Sequence, residues 1–267
     1  MLEGVKMDKT ENRKSIAVIT AIFGSYDDVP PVPKGFDEAV LVSDKKIDSD
    51  WRNIVIESKQ TPRLSAKLPK FRPDKFTKCN SSVWVDASMR DDSDWLLEAS
   101  LEKLRFYDLV LFRHPQRDNI LEEMLESIKM DKYFNQPIVQ QVRNYQLLGF
   151  KDDVGLWAGG VIARNHNSNN ITFGDQWLEQ NENWSIQDQI SLPYIIWKNK
   201  IEVGTFDEDQ YTGPLKWIHH KGEYLESRKV QRSQESILLR RLKTAVSLLQ
   251  SKNYKVFYSI LKKSICK

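Results

Sequence analysis

The run Ile16-Ala-Val-Ile-Thr-Ala-Ile-Phe23 is apolar at nearly every position. A strand with one wet face alternates polar and apolar residues. A continuous apolar run instead predicts a parallel strand buried on both faces. The segments 39–43, 51–56, 82–86, 109–112 and 154–163 also read as strands. Helical spacing is seen over 96–104 and 118–130, and over 188–197 apart from Pro193. The alternation of the two periods predicts an α/β architecture with a mostly parallel or mixed sheet.

A chain of 267 residues suits one large α/β domain or one domain with an appendage. Its 40% hydrophobic and 29% charged residues supply a core and exclude global disorder. Cys79 and Cys266 are too few and too far apart for a disulfide framework, so both read as reduced thiols of a cytosolic protein. No segment is long enough to span a bilayer. The first apolar run follows Arg13 and Lys14 but lacks a signal peptide's long core and cleavage site, so it reads as a buried strand.

Charge divides the chain. Residues 228–267 hold eleven Lys or Arg and one acid, Glu235, a net +10 that leaves the remainder at −7. We read 1–14 as a disordered lead, 15–227 as the catalytic domain and 228–267 as a basic amphipathic helical tail. Leu238, Leu242, Ala245, Val246 and Leu249 recur at helical spacing in it. Such a tail either lies on an anionic membrane surface or packs on the domain with a solvated basic face. The acidic body argues against nucleic acid as a partner.

Five segments carry candidate chemistry. The strand Ser82-Val-Trp-Val-Asp86 delivers a carboxylate to its C-terminal end, where α/β enzymes hold a metal near phosphates. The next positions are Ala87 and Ser88, so the triplet is Asp-x-Ser, with Ser88 able to ligate weakly or through water. The plain alternative is an acid capping a turn. His219 and His220 precede Lys221 and Gly222; side-chain alternation lets at most one of the pair ligate a metal, and a solvated loop is the alternative. Arg63 and Lys67, four apart among the basic residues Arg63, Lys67, Lys70 and Arg72, share one helix face that can grip a diphosphate or simply be solvated. Ala158, Gly159 and Gly160 let a substrate approach the backbone closely, or bend a buried strand; Asp152 and Asp153 nearby bind sugar hydroxyls or start a turn. Asp188 lies in the first turn of a helix that Ser185 can cap, where it serves as a base or as a carboxylate facing an anomeric carbon.

Taken in order, Thr20-Ala-Ile-Phe-Gly-Ser-Tyr-Asp27, Arg63-x-x-x-Lys67, Trp84-Val-Asp-Ala-Ser88, Trp157-Ala-Gly-Gly-Val-Ile-Ala-Arg164, Asp188-Gln189 and His219 to Gly222 resemble a glycosyltransferase-like family. It was once filed as a domain of unknown function and includes plant mucilage-related proteins. More remotely the chain is similar to the glycogenin and lipopolysaccharide galactosyltransferase group with the GT-A fold. The resemblance covers about 15–225 and implies a Rossmann-like mixed sheet flanked by helices. It implies that Thr20, Ala21, Phe23, Tyr26 and Asp27 hold the nucleotide base and ribose, and that Arg63 and Lys67 reach the donor. Asp86, beside Trp84 and Val85, matches the first Asp of the metal motif, with Ser88 where a second Asp is usual. Ala158, Gly159 and Gly160 line the sugar pocket, and Asp188 and Gln189 sit near the transferred sugar. His219 or His220 matches the late metal ligand, with Lys221 and Gly222 at the phosphates.

The expected activity is transfer of a sugar from a nucleotide-sugar donor, a UDP-sugar, to a glycan or lipid-linked acceptor, assisted by Mn2+ or Mg2+. The expected location is cytoplasmic, with peripheral membrane contact through the tail. Two other classes compete. A metal-dependent hydrolase would use the acid-plus-His set, but ligand spacings such as His-x-Asp or His-Glu-x-x-His are absent from the sequence. A non-catalytic nucleotide- or carbohydrate-binding module would suit the missing second Asp.

Overall fold

The computed structural model describes residues 14–218, apart from 59 and 134. Its strands are β1 (Ile16–Ile22), β2 (Glu38–Ser43), β3 (Arg52–Val55), β4 (Ser81–Val85), β5 (Met89–Arg90), β6 (Leu109–Arg113), β7 (Trp157–Asn165), β8 (Val203–Thr205) and β9 (Lys216–Trp217). Its helices are α1 (Pro62–Ser65), α2 (Lys67–Phe71), α3 (Trp95–Lys103), α4 (Ile120–Ser127), α5 (Ile138–Leu147), α6 (Ser168–Asn183) and α7 (Asp188–Asn199).

Seven strands form one mixed sheet in the order β3-β2-β1-β4-β7-β6-β8. β1 is parallel to β2 and β4, whereas β7 runs antiparallel to β4 and β6. Every residue of β1 and of β7 is buried, as the apolar first run requires. One face packs Ile19, Trp84 and Ile162 against Phe71, Phe173, Trp177 and Ile190. The other packs Val18, Val83 and Val161 against Leu96, Leu97, Phe206 and Leu215. This is the mixed α/β sheet flanked by helices that the sequence predicts.

The strand order changes direction at β1, which lies between β2 and β4. A crevice opens beyond the carboxyl ends of strands at such a switch. Asp86 follows β4 at this edge, and the first residues of the antiparallel β7 arrive there from the opposite direction.

Three local expectations are corrected and one open alternative is settled. The helix from Asp188 continues through Pro193 to Asn199. The buried Ser185 does not cap it; Gln187 takes that position, and the Ser185 hydroxyl donates to Gln141 Oε1 at 2.5 Å. Arg63 and Lys67 do not share a helix, because the chain breaks between α1 and α2 at Ala66. Asp152 settles as a cap, since its carboxylate accepts the N–H groups of Ile120 (3.0 Å) and Leu121 (3.3 Å) at the start of α4.

Candidate active site

Two lysines of α2 close on one carboxylate. Lys67 and Lys70 are three residues apart, so the helix turns both to the same side. Their Nζ atoms lie 2.8 and 2.6 Å from Asp188 Oδ2. Asp188 opens α7, where the helix dipole also favours an anion. Lys70 Nζ is a further 3.5 Å from Asp86 Oδ1. Trp84, two residues before Asp86, donates its indole N–H to the same oxygen at 2.7 Å.

Burial opposes charge on Asp188, but the two ammonium groups outweigh it and hold the carboxyl well below the usual range. Burial also opposes the Lys70 ammonium, yet Asp188 and then Asp86 raise its pKa. Lys67 has Asp188 alone as an acid partner and Lys70 and Arg63 as like-charged neighbours, so burial brings it down to about 8. This has a measurable consequence. If the ammonium of Lys67 is needed, kcat/KM should fall by up to about tenfold per pH unit above pH 8. Stability moves the other way. The unfolded chain keeps this proton up to its ordinary lysine pKa while the fold releases it near 8, so this group makes the fold more stable as pH rises across that window. Activity falling while the thermal midpoint holds separates titration of Lys67 from unfolding, and Lys67→Met should remove that limb of the profile. A flat profile to pH 10 would refute the role.

The backbone is shaped around this cluster. A Cβ on Gly159 would stand 3.2 Å from Lys70 Nζ and 3.5 Å from Asp188 Oδ2. Gly160 faces the other way, toward the buried Gln210 amide, and its carbonyl accepts Asp86 N–H at 2.8 Å. Arg164 of β7, 1% exposed, donates to the carbonyls of Lys70 (3.0 Å) and Phe71 (3.1 Å) at the end of α2. The Phe71 ring stacks on Trp177 at 4.0 Å, and Trp177 Nε1 donates to Ser191 Oγ (3.0 Å) and Asp188 O (3.3 Å). Both ends of the Lys-Asp cluster are thus pinned to the sheet and to each other.

Asp188, Lys67, Asp86 and Gly159 come together among the expected site residues. Gln189 stands behind them, donating to Trp157 O at 3.4 Å. Thr20, Ala21, Phe23, Val85 and Ala158 are buried in the sheet core, whereas Tyr26 and Asp27 are half-buried on the loop after β1. Ser88 is buried, and its carbonyl accepts Ile218 N–H at 2.7 Å. Arg63 makes no ion pair with Asp188: it donates to Lys132 O at 3.1 Å and lies over the Tyr133 ring at 5.2 Å. His219, His220, Lys221, Gly222 and the basic tail 228–267 lie outside the described residues. Among the described residues, no three His, Cys, Asp or Glu gather as a metal site.

Sequence reasoning missed Lys70 as a site residue, although its spacing of three from Lys67 was a usable signal. It also missed the support behind Asp188. Gln187 Nε2 donates to the buried Glu123 at 2.5 Å, Arg117 Nε donates to the same carboxylate at 2.6 Å, and Tyr133 Oη donates to Gln187 Oε1 at 2.8 Å. No local pattern announces that network, whose members come from four separate segments.

The family model of the TOD1/MUCI70, glycosyltransferase-like domain matches residues 34–220. No curated protein matches the chain. One similar solved structure is the galactosyltransferase LgtC, in complex with donor and acceptor sugar analogues; identity is 10%, coverage is 71% of this chain and 72% of that one, and the TM-score is 0.39. Another is 4-diphosphocytidyl-2C-methyl-D-erythritol synthase from Anaerococcus prevotii, with 12% identity, coverage of 83% and 100%, and a TM-score of 0.44.

Proposed function

The chain belongs to the TOD1/MUCI70 glycosyltransferase-like family, and on that premise we propose that it moves a sugar from a UDP-sugar to a glycan or lipid-linked acceptor. The observation that carries the reading is the Lys67–Asp188–Lys70–Asp86 cluster, packed against Gly159 at the carboxyl edge of the sheet.

In this reading the acceptor hydroxyl oxygen bonds to the anomeric carbon as that carbon's bond to the diphosphate oxygen breaks. The electron pair leaves with the nucleoside diphosphate, which also carries off the hydroxyl proton. Asp188 has too low a pKa to be an effective base at neutral pH. It serves instead as a fixed negative charge facing the anomeric carbon while positive charge develops there. Lys67 and Lys70 keep it ionised and oriented.

The side chain of Asp86 is 39% exposed, which suits a cation that takes most of its ligands from substrate phosphates. Mn2+ or Mg2+ would be held by Asp86 with His219 or His220, and would neutralise charge on the departing diphosphate. Ser88, buried two residues after Asp86, would join them weakly or through water. No helix among the described residues is long and apolar enough to cross a membrane. The basic tail 228–267 would hold the enzyme against an anionic membrane surface near its acceptor.

The test is nucleotide release from a panel of nucleotide sugars, with and without Mn2+, on the wild type and Asp86→Ala. Release from a single UDP-sugar, reduced at least about a hundredfold in the variant, is expected. If no donor gives release or thermal stabilisation, the reading fails.

A further inference from the structure

Two cations beside the cleft are held together without an ion pair among the described residues. Lys67 and Lys70 face Asp188 and Asp86, and Arg117 faces Glu123. Arg63 and Lys132 have no carboxylate within ion-pair distance among the described residues. They are nevertheless held together. Arg63 Nη1 donates to the Lys132 carbonyl at 3.1 Å. The Arg63 guanidinium and the Lys132 ammonium lie 5.2 and 5.0 Å from the centroid of the same ring, Tyr133.

Two like charges gathered on one ring repel each other, and the ring's quadrupole returns only a modest attraction to each. Crowding by the chain, and then Arg63, lower the Lys132 pKa. A fold has little reason to keep such a pair unless an anion completes it. The pair also borders the reaction centre. Asp188, Glu123 and Asp86 all act on Lys132, and Arg63 acts on Lys67. The Tyr133 ring is buried, and its hydroxyl reaches Gln187, the residue before Asp188. The clamp is therefore fixed in register with the catalytic carboxylate.

The geometry points to Arg63 and Lys132, mounted on Tyr133, as the clamp that receives the diphosphate of the donor. The assignment rests on the donor reading above and adds Lys132, from the short turn between α4 and α5, to the substrate-binding residues. It divides labour among the cations: the α2 lysines hold Asp188, and the Tyr133 pair holds the phosphates. The fork of Arg63 suits two phosphate oxygens, and Lys132 supplies a compact point charge beside it.

Calorimetric titration of the full chain with inorganic pyrophosphate and with UDP tests this. Arg63→Gln and Lys132→Gln should each weaken binding of both probes by roughly ten- to hundredfold. The double variant should bind neither. Lys132→Arg should restore most of the affinity lost in Lys132→Gln, and thermal midpoints should match the wild type. Pyrophosphate binding that is lost in the double variant, from a wild type that ignores UDP, upholds the clamp and removes the UDP donor. Equal affinities in wild type and double variant, or a wild type that binds neither probe, overturn it.

Discussion

Asp188→Asn should abolish transfer while leaving the shape of the site intact. We expect turnover to drop by about a thousandfold or more, the scale on which loss of a charge-stabilising group at the reacting centre acts. The same substitution leaves the Lys67 ammonium, on a side chain only 13% exposed, without its acid partner, and leaves Lys70, 6% exposed, with Asp86 alone at 3.5 Å. Breaking a buried pair by removing one partner costs about 3–5 kcal/mol, so the variant should also be less stable near pH 7. The two losses can be separated. Without the acid, the folded-state pKa of Lys67 falls further below its unfolded value, and that of Lys70 drops from its raised position. Stability should then recover as pH rises through them. Lys67→Met added to Asp188→Asn should restore stability by removing one stranded charge, but no activity. Denaturant melts at pH 7 and 9.5, alongside donor turnover, give both readouts. More than a tenth of wild-type turnover in Asp188→Asn would end the catalytic assignment.

The strands were legible because burial on both faces leaves so plain a mark. β1, β2, β4 and β6 fall within a residue or two of where apolar runs place them. α6 was not legible. Its sequence, Ser-Asn-Asn-Ile-Thr-Phe-Gly-Asp-Gln-Trp-Leu-Glu-Gln-Asn-Glu-Asn, dilutes a spaced apolar stripe with four asparagines and a glycine. Tertiary packing of Phe173 and Trp177 makes it a helix where local propensity is weak. The site shows the same division. Asp86 and Asp188 stand out in the sequence because each lies at an element boundary, where a polar residue in an apolar setting is conspicuous. The grouping of Arg63 with Lys67 assumed an unbroken helix. In the fold, Thr61 caps one short turn, and the next turn starts after Ala66 and rotates Lys67 toward Lys70 instead. The adjacent glycines read alike in sequence, but strand alternation sends Gly159 to the lysine face and Gly160 to Gln210.

Gly174→Ala should cripple the enzyme from a distance, and two opposing magnitudes make the outcome decisive. In an ordinary helix interior this change adds about 1 kcal/mol of stability through helix propensity. Here a Cβ would lie 2.1 Å from the Phe71 carbonyl oxygen and 2.9 Å from Arg72 Cδ. The first contact is with backbone, which cannot swing aside as a side-chain tip can. Relief requires α6 and α2 to separate, and overpacking of that kind costs about 1–3 kcal/mol, occasionally more. The carbonyl in question is the one Arg164 holds, and Phe71 carries the stack onto Trp177 that reaches Asp188. Moving α2 therefore shifts Lys67 and Lys70 against Asp188. We expect a net loss of up to about 2 kcal/mol in stability and a fall in kcat larger than the change in donor KM. The alkaline limb that Lys67 sets near pH 8 should shift as well, because its position depends on the distance to Asp188. A merely destabilised enzyme, assayed well below its midpoint, would keep that limb in place. Should Gly174→Ala instead be stabilised by about 1 kcal/mol with normal turnover, α2 tolerates displacement and the pinning of Lys67 and Lys70 by Arg164 and Gly174 is wrong.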